Sequence, residues 1–189
     1  LHITPRKPGV KVVQILGGIG NPSAEAHATR LTSRIAQIVN GEAVYLPVSG
    51  VLATEAARDI LAADEVAQQA IRLFDQVTTA LVGIGSIEPS PLLAQSGNIF
   101  APQELDVLRN ANAVGDILLR FFDQTGTLVE TGLEKRVISM SLEQLRKVSR
   151  AIGVAGGSRK YAAILGAIRG HWINILVTDH FTAKKLVNE

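Results

Sequence analysis

The sequence contains no cysteine, which excludes a disulfide framework, a thiolate nucleophile and cysteine-ligated zinc. Aromatic residues make up only 4%, so the interior has to be built from Ala, Val, Ile and Leu. Charge of one sign is also missing. Nineteen Lys and Arg against seventeen Asp and Glu leave a net charge of +2, and the basic residues are scattered rather than gathered into the stripe of a nucleic-acid surface. The short pairs Arg6-Lys7 and Lys184-Lys185 read as solvated surface. No apolar run reaches the roughly 18 residues of a membrane span, and the opening LHITPRKPG does not form a signal peptide. On these grounds the expectation is a soluble, cytoplasmic protein with no membrane partner.

What is present is a chain of 189 residues, 47% hydrophobic, with seventeen glycines. That length fits one domain with a sizeable core, and the composition excludes a disordered chain. Short apolar runs of the kind that form buried parallel strands alternate with helical segments throughout. The strands are expected at Val10–Leu16, Ala43–Leu46, Thr79–Ile84, Val137–Met140, Ala151–Ala155 and Ile173–Thr178. Between them the pattern predicts helices from Ser23 to about Val39, Thr54–Ala62, Glu65–Gln76, Pro102–Arg109, one from Ser141, Ser158–Arg169 and one from Asp179. Gly115–Phe122 and Thr127–Glu130, joined by Asp123-Gln124-Thr125-Gly126, read as an antiparallel insertion. The fold expected is therefore α/β, a mainly parallel sheet with helices on both faces and a small antiparallel insertion.

In such sheets ligands bind beyond the carboxyl ends of the strands. Three glycine-bearing loops fall there: Gly17-Gly18-Ile19-Gly20, Gly83-Ile84-Gly85-Ser86 and Gly156-Gly157-Ser158-Arg159-Lys160. Each leads toward a helix whose free amides favour an anion, which points to a small phosphorylated ligand. The first loop supplies only two glycines of G-x-G-x-x-G, with Ser23 in the third place. The acidic residue wanted at the end of the second strand is also missing, since that end is Leu46-Pro47. Walker A is absent, and no cofactor is expected. In the third loop Ser158 is expected to cap the helix, while Arg159 and Lys160 place positive charge in the first turn against the helix dipole. A bound phosphate would account for Lys160; Arg159 reads as solvent-facing. The histidines His2, His27, His171 and His180 have no metal-binding spacing, and His27 alone lies close after a glycine loop. Asp116 and Asp123 flank the insertion, and Asp179 fits a helix N-cap at least as well as a ligand group. Spacing places no acid-base pair or Ser-His-Asp set.

With those loops in view, the chain resembles the sugar-binding effector domain of SorC/DeoR-type bacterial transcriptional regulators. The resemblance is carried by Val13-Gln14-Ile15-Leu16-Gly17-Gly18-Ile19-Gly20, Ala80-Leu81-Val82-Gly83-Ile84-Gly85, Ala113-Val114-Gly115-Asp116-Ile117 and Phe121-Phe122-Asp123-Gln124-Thr125-Gly126. It continues through Val154-Ala155-Gly156-Gly157-Ser158-Arg159-Lys160-Tyr161 and Ile173-Asn174-Ile175-Leu176-Val177-Thr178-Asp179, in order over almost the whole chain. It implies a fold related to sugar-phosphate isomerases and deaminases, without required catalysis, that binds a sugar or sugar phosphate and controls assembly and operator affinity. The glycine loops and the resemblance together give the expected ligand set: Gly18, Gly20, Gly85 and Ser86 from the loops, and His27, Asp116, Gly156, Gly157 and Lys160 from the resemblance. Lys160 maps to the lysine that meets the phosphate and Asp116 to the acid that holds sugar hydroxyls. His27 departs from the amide side chain that relatives often carry there. Relatives have a further strand and glycine/threonine-rich loop before the position of Val10, preceded by a helix-turn-helix. Residues 1–189 are thus expected to be most of an effector domain, a homo-oligomer (dimer or tetramer) that meets DNA only through that module. An isomerase- or deaminase-like enzyme is the alternative, and a purely oligomerising domain a third reading.

Overall fold

The computed structural model describes residues 9–18, 22–87 and 100–188. Gly20, the Arg6-Lys7 pair and His2 lie outside these residues, as do the side chains of Ser23 and His27. The chain divides into two compact units: residues 1–76 with 136–139, and residues 77–135 with 140–189.

In the first unit, β1 (Lys11–Val13) and β2 (Glu42–Val44) pair in parallel, with Val12 opposite Ala43. Helix α1 (Pro22–Val39) connects them. It stops where Asn40 turns left-handed and the Gly41 amide donates to the Ala36 carbonyl. The strand expected over Val10–Leu16 ends early, because from Leu16 on the chain meets only isolated partners: Leu16 bridges to Ser139 and Gly18 to Ser49. Val137–Met140 is likewise not a strand but single bridges, Val137 to Val51 and Ser139 to Leu16. Helix α2 (Glu55–Ala62) is capped by the Thr54 hydroxyl, and α3 (Glu65–Ile71) by the Asp64 carboxylate. The helix expected to continue to Gln76 ends at Ile71 and tightens into a 3-10 turn, Phe74–Gln76, which buries Phe74.

In the second unit, β3 (Thr79–Gly83), β7 (Arg150–Val154) and β8 (Ile175–Val177) form a parallel sheet in that order, with Leu81 opposite Ile152 and Ile152 opposite Ile175. Strand side chains alternate between faces. Ala80, Val82 and Ala151 are buried on one face, whereas Leu81, Val154, Ile175 and Val177 on the other stay exposed. The antiparallel sheet has the order β4 (Gly85–Ser86), β5 (Ala113–Ile117), β6 (Arg120–Asp123). The insertion is therefore real, and the Asp123–Gly126 turn brings antiparallel partners together as expected, Phe122 bridging to Leu128 and the Val129 amide donating to the Phe121 carbonyl; a further, unexpected reversal precedes it. Two leucines, Leu118 and Leu119, take left-handed conformations (φ 57° and 61°) and reverse the chain inside the segment expected to run straight. No glycine marks the turn, so local chemistry did not advertise it. The Asp123–Gly126 turn follows, held by the Asp123 carboxylate, which accepts from the amides of Thr125 and Thr127.

Helix α4 (Pro102–Asn110) precedes β5, and α5 (Leu142–Arg146) begins in a capping box in which Ser141 and Gln144 bond reciprocally. A 3-10 turn, Ser158–Lys160, runs into α6 (Tyr161–Arg169), and α7 (His180–Val187) is capped by Asp179. Phe122, Ile117, Leu108, Met140, Leu145 and Ile164 are fully buried at the centre of this unit. Parallel strands, helices and a small antiparallel sheet together make the α/β architecture expected.

Candidate functional site

The chemistry-bearing residues of the second unit meet where β4, β5 and the turn before α6 pack together. Gly85 pairs with Asp116 and Ser86 with Gly115 across β4 and β5. The Asp116 carboxylate lies directly over Gly85, and a side chain at position 85 would collide with it. Gly115 has the same character on the helix side, since a Cβ there would strike Ala163 of α6 and the Gly85 carbonyl. These two glycines let the helix and both strands approach closely enough to bring the start of α6 to the end of β3.

Lys160, the residue before α6, then donates from Nζ to the Ile84 carbonyl at 2.6 Å. Asp116 Oδ2 accepts from the Leu119 amide at 3.1 Å, a bond made possible by the left-handed leucine turn. Burial pushes the Asp116 carboxyl up to about 6, against the opposing pull of the Leu119 amide and the Lys160 charge. The site thus sets an ammonium against a carboxyl that titrates close to neutrality.

The Gly156-Gly157 loop leads into this turn. Gly157 is left-handed (φ 88°), and its carbonyl accepts from the Lys160 amide at 3.0 Å. The Ser158 hydroxyl expected to cap the helix makes no cap: the 3-10 turn starts from Gly157 and α6 from Lys160, neither with a side-chain cap. Instead Asp179 reaches across from α7. Its Oδ2 accepts from the Gly157 amide at 2.8 Å and from the Thr182 hydroxyl at 2.6 Å, and its Oδ1 from the Thr182 amide at 2.9 Å. These bonds hold the Asp179 carboxyl well below the usual carboxylate range. Thr182 was not legible as part of the loop; the only sequence signal is a threonine three residues after a strand-ending aspartate.

The structure therefore gathers Gly85, Ser86, Asp116, Gly156, Gly157 and Lys160 in one unit. Gly18 belongs to the other unit, where its amide donates to Val48 and its carbonyl accepts from Gly50. His27 lies on α1 of that unit. A surface cleft of about 450 Å³ lined by Arg109, Asn112, Asp123 and Thr125 includes none of the site residues. Its Arg109 is already tied to Asp106 at 2.7 Å.

A pairing of lysine, buried acid and glycine loop is open to several ligand chemistries, and comparison with known proteins narrows them. Residues 2–188 match the family model described as "Putative sugar-binding domain". The chain is a SorC/DeoR-type sugar-binding domain. It is 33% identical over 181 residues to the deoxyribonucleoside regulator of Bacillus subtilis (strain 168), covering 96% of this chain and 57% of that protein. Identity to the sorbitol operon regulator of Klebsiella pneumoniae is 32% over 179 residues, covering 93% and 56%. The crystal structure of that organism's full-length sorbitol operon regulator SorC superposes with a TM-score of 0.85 at 30% identity, over 95% of this chain and 57% of that one. A domain of a possible sugar-binding transcriptional regulator from Arthrobacter aurescens TC1 gives 0.84 at 25% identity, over 96% and 71%. This sugar-binding domain thus spans a little over half the length of the curated relatives it matches.

Proposed function

We propose that this domain senses a phosphorylated sugar and binds it without turnover. Lys160 and the Gly156-Gly157 loop take the phosphate, and Asp116 accepts the sugar hydroxyls beside Gly85 and Ser86. The observation that carries this reading is the juxtaposition of the Lys160 ammonium with the buried Asp116 carboxyl at a glycine loop. A phosphate needs the first and a polyol the second. The names of relatives, a deoxyribonucleoside regulator and a sorbitol operon regulator, support a carbohydrate-linked signal. Catalysis is not part of the proposal, since the relatives the chain matches are named as regulators.

In the whole protein, the domain is the effector part of a cytoplasmic bacterial transcriptional regulator. Residues 1–189 form most of that part, with a strand and loop preceding them and a helix-turn-helix carrying the DNA contacts. Ligand binding shifts the population of homo-oligomeric arrangements and thereby operator affinity. The test is a calorimetric screen of sugar phosphates against the intact protein, with a turnover assay on each hit. Binding without product supports the sensor; measurable isomerisation or deamination overturns it.

A further inference from the structure

We infer that Asp179 is a built-in competitor for the anion at the Gly156-Gly157 loop, so that a phosphate group gains the Gly157 amide only as this carboxylate releases it. The inference rests on the phosphate reading of that loop and adds the group that regulates it.

Gly157 is exposed, its backbone is left-handed, and a Cβ built there meets nothing within 4 Å. An amide so placed is what an incoming anion needs. Yet it is already donated to a carboxylate, Asp179 Oδ2, at 2.8 Å, with the Thr182 hydroxyl as a second, longer acceptor at 3.3 Å. Gly156 shows how closely the carboxylate lies on the loop, since a Cβ there would come within 2.5 Å of Asp179 Oδ2. An anion and a carboxylate repel each other at such a spacing, so both cannot hold the amide at once.

The two oxygens of Asp179 are divided between two tasks. Oδ1 accepts the Thr182 amide and so caps α7, whereas Oδ2 is shared between the Gly157 amide of the loop and the Thr182 hydroxyl. The carboxylate can therefore surrender the loop and keep the helix capped, which makes the exchange local rather than an unfolding event.

The test uses inorganic phosphate titrated into the intact protein and its Asp179→Asn variant, followed by calorimetry. Asparagine caps helices as well as aspartate does but carries no charge. The expected result is phosphate affinity about tenfold tighter in the variant, the size of one charge-assisted hydrogen bond no longer in competition. Affinity for an uncharged sugar should stay unchanged, a split that a merely structural role would not produce. Equal or weaker phosphate binding by the folded variant overturns the competitor role and leaves the phosphate reading standing; no phosphate binding by either protein overturns both. Should Asp179→Asn fail to fold, carbon-13 NMR of the wild type decides. Movement of the Asp179 carboxyl resonance and the Gly157 amide with one phosphate midpoint supports the inference, and a Gly157 response with a stationary Asp179 carboxyl overturns it.

Discussion

Asp116→Asn converts the burial of the site's carboxyl into a measurable dependence on pH. In the folded protein burial pushes this carboxyl up to about 6 from its ordinary 3.8. Between those values the unfolded chain has released its proton and the folded chain still holds it, so the unfolded state binds fewer protons and stability falls as pH rises. About two pH units at about 1.4 kcal/mol each give a contribution of about 3 kcal/mol, complete below the unfolded value and lost as pH passes the folded one. The carboxyl is buried but Asp116 as a residue keeps partial exposure, so water reaches the charged form and this figure is a ceiling. Asparagine keeps an acceptor for the Leu119 amide and does not titrate. The difference in unfolding free energy between variant and wild type should move by up to about 3 kcal/mol in favour of the variant between about pH 4 and pH 7. Urea denaturation at several pH values, followed by fluorescence of the single, buried Trp172, provides the assay. Other carboxylates titrate alike in both proteins and cancel in the difference. Parallel stability profiles, or a difference that grows in favour of the wild type, would refute the reasoning.

Two further substitutions probe the scaffold. Gly85→Ala drives a methyl group into the Asp116 carboxylate, and we expect a loss of about 1–3 kcal/mol in thermal or urea unfolding, with Gly83→Ala, where nothing lies within 4 Å, as the mild control. Trp172→Phe removes the buried indole bond to the Gly126 carbonyl at 2.9 Å and replaces the indole under the Arg146 guanidinium by a smaller ring. The orphaned carbonyl should cost about 1–3 kcal/mol, read as a lowered urea midpoint, and an unchanged midpoint would contradict the assigned bond.

The α/β class was legible because the aliphatic runs at Thr79–Gly83 and Arg150–Val154 have the length and β-branching of strands and are punctuated by glycine. Helix starts were legible wherever a side chain caps them, as at Thr54, Asp64, Ser141 and Asp179. The Asp123–Gly126 turn was legible from its turn residues, whereas the reversal before it was not, because it is made by Leu118 and Leu119, which locally disfavour left-handed conformations. The Val137–Met140 segment reads as a strand by composition, yet only single bridges form there, because pairing depends on partners distant in sequence. At the site, Lys160 was visible as a cation misplaced for a helix start. Its bond to Ile84 and the clasp of Asp179 on Gly157 join residues 76 and 22 positions apart, which no periodicity reveals.

The central claim is that this domain holds a phosphorylated sugar through Lys160. Its most direct test is titration of the intact protein, and of its Lys160→Ala variant, with a sugar phosphate selected by the screen and with the same sugar lacking phosphate. The account predicts that the phosphorylated form binds more tightly to the wild type, and that Lys160→Ala removes at least about tenfold of that affinity while leaving the uncharged sugar unaffected. Equal affinity for the two sugars, or phosphate-dependent binding that survives Lys160→Ala in full, would contradict it.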